Sequence, residues 1–137
     1  METTYVSRDK YGMYSSERAG GPGPRLMGAD TLMGNDVYNT KDEKLGDIKE
    51  FMIDMSTGQI VYAVLDFGGF LGMGDKLFAV PFRALGLDTN HHRFTLNASK
   101  EHLKSAPGFD KEHWPEMADP TWADSVQRFY GSSYRPM

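Results

Sequence analysis

Between residues 26 and 97 the chain breaks into short runs of β-branched, aromatic and aliphatic residues, separated by clusters of Gly, Asn, Asp and Lys. That spacing predicts a small all-β domain. Leu32-Met33 and Val37-Tyr38 flank Gly34-Asn35-Asp36 and predict a first hairpin. The turn at 40–44 leads into an apolar run over 45–55, and Ser56-Thr57-Gly58-Gln59 turns that run into the next, Ile-Val-Tyr-Ala-Val-Leu-Asp-Phe over 60–67. The second run is apolar on both faces apart from Asp66, so it predicts a central strand. KLFAVPF over 76–82 gives another strand, with Pro81 at its end, where a missing donor costs least. A turn at 88–92 then enters a last strand over 93–97. Five or six short strands without long helices between them predict a mainly β fold, a closed or nearly closed barrel, because so small a sheet must bury one face and hide its edges.

The flanking segments read differently. Residues 1–25 carry neither the strand nor the helix period and end in Gly-Gly-Pro-Gly-Pro before Arg25, which predicts a flexible N-terminal tail. After Asn97 the period becomes helical. Ser99 is placed to cap a short helix reaching Lys104, Asp110 a turn reaching Trp114, and Asp119 a helix with Pro120 at its first position. In that last helix Trp122, Val126, Phe129 and Tyr130 fall on one face, to be packed on the barrel or on a second copy. The predicted organisation is a tail over 1–25, a barrel over 26–97 and a helical extension over 98–137.

Composition narrows the function classes. The 137 residues suit one domain with one core. Cysteine is absent, which removes disulfides, thiolate metal sites and cysteine nucleophiles and fits a reducing, cytoplasmic setting. The net charge of −4 gives no general attraction to nucleic acid. No apolar run is long enough to span a bilayer, and no signal-peptide core precedes the domain.

The least ordinary stretch is Asp66-Phe-Gly-Gly-Phe-Leu-Gly-Met-Gly-Asp-Lys76. It matches neither a Walker motif, since Asp75-Lys76 follows Gly74 in place of Lys and Ser or Thr, nor a dinucleotide fingerprint, since a strand follows the glycines. Two readings stay open: Phe70, Leu71 and Met73 fold back into their own core, or they form an exposed contact surface. Asp66 interrupts a buried-looking strand. It is read as a cap on the glycine loop, with a site of Asp66, Asp75 and a histidine as the alternative. His91, His92, His102 and His113 form no metal spacing, and no nucleophile triad stands out, so no cofactor, metal or enzymatic activity is expected.

Gly34-Asn-Asp-Val-Tyr38, Lys44-Leu-Gly-Asp-Ile-Lys49, Phe51-Met-Ile-Asp-Met-Ser-Thr-Gly58, the run over 60–74 and Phe78-Ala-Val-Pro-Phe82, in this order, resemble the PRC-barrel family over about residues 26–97. Leu103-Lys-Ser-Ala-Pro-Gly-Phe-Asp110 with Trp114-Pro115 resembles the extension of its stand-alone bacterial members. The resemblance implies a small β-barrel used as an adaptor. The family takes its name from the cytoplasmic domain of the photosynthetic reaction-centre H subunit, and a related barrel lies in a ribosome maturation factor. It supplies no catalytic residues. The expectation is a non-enzymatic interaction module, a homodimer joined through Phe67, Phe70, Leu71 and Met73 with the C-terminal aromatics Trp114 and Trp122. Alternatives are an accessory protein of ribosome assembly or of a membrane complex, and a small-molecule or metal-binding domain.

Overall fold

The computed structural model describes residues 3–14, 21–68 and 76–131. Its centre is the hairpin of β2 (Lys44–Asp54) and β3 (Gln59–Asp66), closed by a turn in which Gly58 takes φ +78°, a value that strains residues with a Cβ. Asp54 fastens this turn by accepting hydrogen bonds from the amide and hydroxyl of Ser56 at 2.9 and 2.7 Å. β1 (Asp36–Tyr38), β4 (Lys76–Pro81), β5 (Leu85–Asp88), β6 (Arg93–Leu96) and β7 (Phe109–Asp110) complete a seven-stranded sheet in the order β5-β6-β1-β2-β3-β4-β7. All pairings are antiparallel except β1 with β6.

The fold is mainly β, as the run lengths predict, with seven strands where five or six are expected. β5 and the two-residue β7 account for the difference. The pairings among the described residues leave the sheet open between β5 and β7, where a barrel would close. One core nevertheless joins the strands: Val37, Leu45, Ile48, Ala63, Leu65, Phe78, Phe94 and Leu96 all belong to a single buried cluster. β3 is central, as its apolar pattern requires, and Tyr62 to Leu65 are buried in succession.

Among the described residues three short α-helices and a 3-10 turn over Phe82–Ala84 accompany the sheet. α1 (Ala29–Leu32) occupies part of the predicted first hairpin. Leu32 and Met33 are not a strand, because the amides of both turn back on the carbonyls of Gly28 and Ala29, and the buried Asn35 side-chain amide donates to the Thr31 and Leu32 carbonyls that end the helix. α2 (Lys100–Leu103) is capped by Ser99, whose hydroxyl accepts from the His102 amide at 3.0 Å. α3 (Pro120–Tyr130) starts at Asp119 as predicted, and its apolar face turns inward, with Val126 and Tyr130 fully buried.

The N-terminal segment departs furthest from expectation. Residues 3–14 lie against the sheet instead of forming a tail. Tyr5 is only 3% exposed and belongs to the core. Its amide donates to the His92 carbonyl at 3.1 Å, and its ring meets His92 and Tyr14 edge-on. Asp36 is paired twice with Thr3, accepting from the Thr3 amide at 2.8 Å and donating its own amide to the Thr3 carbonyl at 2.9 Å. The absence of a period is explained by this anchoring: one aromatic side chain and a few backbone bonds hold the segment, and no repeating face is needed.

Candidate functional site

β3 and β4 run from one end of the sheet to the other, with exposed Trp114 at one end and exposed Ile53, Met55 and Val61 at the other. The loop end is where β3 finishes at Asp66 and β4 begins at Lys76. Here β7 pairs Asp110 with Lys76 and Phe109 with Leu77, and Trp114 packs on Phe109 at 5.0 Å between ring centres. The Trp114 indole N–H donates to the Lys111 carbonyl at 2.7 Å, so the ring is held in place while 43% of the residue stays exposed. A fixed, half-exposed indole is a typical anchor of a protein contact. Charges around it are mixed, with Lys76 and Lys111 beside Asp110 and Glu112.

The hairpin end carries the larger apolar surface. Ile53 and Val61 are 47% and 38% exposed, and Met55 at the tip 88%. With Met52, Asp54, Tyr62, Met117, Ala118 and Ala123, Ile53 and Val61 line a groove of about 460 Å³ between the hairpin and the start of α3. Register shifts in β2 before Glu50 and before Ile53 change which side chains face outward along this strand. The outward Ile53 and Met55 are legible in the sequence only as part of a strand-like run, since burial on a projecting hairpin is not set by the run itself.

The predicted contact residues separate. Phe67 is fully buried, tilted against Phe78 at 4.9 Å, and is therefore a core residue, withdrawn from any surface contact. Phe70, Leu71 and Met73 lie outside the described residues. Trp114 stands beside the strand that leaves the glycine loop, whereas Trp122 sits at the other end of β4, its ring edge-on to Tyr62 at 5.4 Å, where it joins α3 to the sheet. The two tryptophans do not form one patch.

The residues considered for metal or acid–base chemistry are also dispersed. Asp66 has a buried carboxylate oxygen without a hydrogen-bond partner, and the loop that would cap it, with Asp75, lies outside the described residues. Among the described residues no group of three or more His, Asp or Glu is arranged to hold a metal ion. His91 is tied to Asp88 at 2.8 Å, His102 stacks on Phe129 at 4.2 Å, and His113 is 3.9 Å from Asp110. Partial burial pushes the Asp88 carboxyl up, but the His91 side chain and the amides of His91 and Asn90 outweigh it and hold the group below its usual range. Arg93, nearly buried, lies over the Tyr38 ring at 3.7 Å and pairs with Asp42, an ion pair that fastens the turn before β2 to β6.

Strand order, the long β2–β3 hairpin and the β4 segment ending in Pro81 are accompanied by a match of the PRC-barrel domain family to residues 24–103, more than half of the chain. The chain belongs to the PRC-barrel domain family. The matched region spans α1 through α2, so the N-terminal arm and α3 are additions around a PRC-barrel domain. No curated protein matches the sequence. Among the described residues of this PRC-barrel protein no helix is long and apolar enough to cross a membrane.

Proposed function

We propose that this PRC-barrel protein is a non-enzymatic interaction module that self-associates through the loop end of its sheet. The observation that carries the reading is Trp114, half-exposed yet held by its indole N–H, beside the strand that leaves the glycine loop. In the sequence Phe70, Leu71 and Met73 precede that strand. The balanced charges around Trp114 oppose self-contact little, which suits a surface that meets its own copy. Burying each large apolar side chain is worth roughly 1.5 to 3 kcal/mol before ordering costs are subtracted. With Trp114 and those few side chains as the proposed contact, a dimer of modest affinity is expected.

Sedimentation velocity over a concentration series tests this with the native chain, Trp114→Ser, and the double variant Phe70→Asp with Leu71→Asp. A concentration-dependent dimer that both variants shift to monomer, without loss of thermal stability, supports the reading. A native chain that stays monomeric at high micromolar concentration refutes it.

A further inference from the structure

The groove at the hairpin end does not belong to the surface just proposed. It lies at the opposite end of β4, which at about 3.3 Å per residue separates the two by roughly 15–20 Å. Its walls are apolar: Met52, Ile53, Val61, Tyr62, Met117, Ala118 and Ala123, with Asp54 the only charged group among them. The charges that adjoin these walls in the chain have one sign. Glu116, Asp119 and Asp124 adjoin Met117, Ala118 and Ala123 in the chain, and among the described residues neither they nor Asp54 form an ion pair. The side chain and amide of Ser56 hold the Asp54 carboxyl below its usual range, so it stays ionised at neutral pH.

An apolar trough with unpaired carboxylates beside it complements a segment that is apolar on one face and cationic on the other. A second copy of this chain is a poor occupant, because it would bring a net charge of −4 towards that rim. We infer that the groove between the β2–β3 hairpin and the start of α3 is a docking site for a basic amphipathic segment of another polypeptide. Ile53 and Val61 receive the apolar face of that segment, and Asp54, Glu116 and Asp124 meet its cations. With self-association at the loop end, such a module presents two copies of this groove. The groove does not require the dimer, however, and the two readings fail separately.

The test uses two synthetic amphipathic peptides of equal length, one of Leu and Lys and one of Leu and Glu, labelled for fluorescence anisotropy. The Leu/Lys peptide should bind the native chain at least tenfold more tightly than the Leu/Glu peptide. Binding should weaken about tenfold in Ile53→Ser with Val61→Ser, and severalfold in Glu116→Gln with Asp124→Asn or on raising salt. Glu101→Gln on α2, outside the groove, should leave it unchanged. Since Ile53 and Val61 are exposed, both serine changes should be tolerated, and the thermal midpoint checks this. Equal affinity for the two peptides, or binding that the Ile53 and Val61 changes leave intact, overturns the inference. A native dimer lost on the Ile53 and Val61 changes would instead assign the groove to a second copy, and overturns it as well.

Discussion

Replacing Tyr5 with alanine asks whether residues 3–14 are part of the fold. In the structure Tyr5 fills a place in the core, and its ring meets His92 at 5.3 Å and Tyr14 at 6.1 Å, both edge-on. Truncating a fully buried large aromatic costs about 3–5 kcal/mol where the surroundings cannot close the cavity. Here the cost is capped, because the arm can detach and release its own ordering entropy, so about 2–3 kcal/mol is expected. In a chain of this size each kcal/mol lowers the thermal midpoint by roughly 3–5 °C, which predicts a fall of about 6–15 °C. Calorimetry measures it, and hydrogen exchange locates it. In the native chain the amides of Tyr5 and Asp36, bonded to His92 and Thr3, should be protected, and both should become fast in the variant. A midpoint changed by less than about 2 °C, with Tyr5 and Asp36 already exchanging fast in the native chain, would return residues 3–14 to the status of a loose tail.

Three further perturbations probe the sheet. Gly46→Ala drives a Cβ into the Asp66 carbonyl oxygen, a backbone atom that cannot step aside, and should cost about 3 kcal/mol in a denaturation titration; the Asp54→Ala change at the exposed hairpin turn should cost far less. Phe78→Ala, which empties the site packed on Phe67 and beneath Gly108, should lose about 3–5 kcal/mol, whereas Trp114→Ser should lose under 1. Because the Asp88 carboxyl titrates lower in the folded chain than in the unfolded one, its stabilisation is full above the unfolded value, about 3.9, and fades as pH falls through the folded value; unfolding between pH 2 and 6 should show a slope that Asp88→Asn reduces.

Local chemistry fixed much of what the sequence predicts. The Ser56 to Gln59 turn, β2, β3, the end of β4 at Pro81 and the caps at Ser99 and Asp119 each depend on residues within a few positions of one another, and each stands where the pattern puts it. So does the inward face of α3, because four apolar side chains at helical spacing admit one burial direction.

What required the tertiary structure is which apolar residues find cover. Phe67 and Ile53 are alike on a hydropathy scale, yet one closes the core and the other stands on a hairpin that projects past its neighbours, because strand length and register set burial through partners far away in the chain. Tyr5 is the reverse case, an aromatic in an unpatterned segment buried by His92, eighty-seven positions on. Trp114 and Trp122 lie close in sequence and at opposite ends of β4, since β7 fixes the first and Tyr62 the second. A pattern along the chain tells which side chains avoid water; only the packed sheet decides which of them succeed.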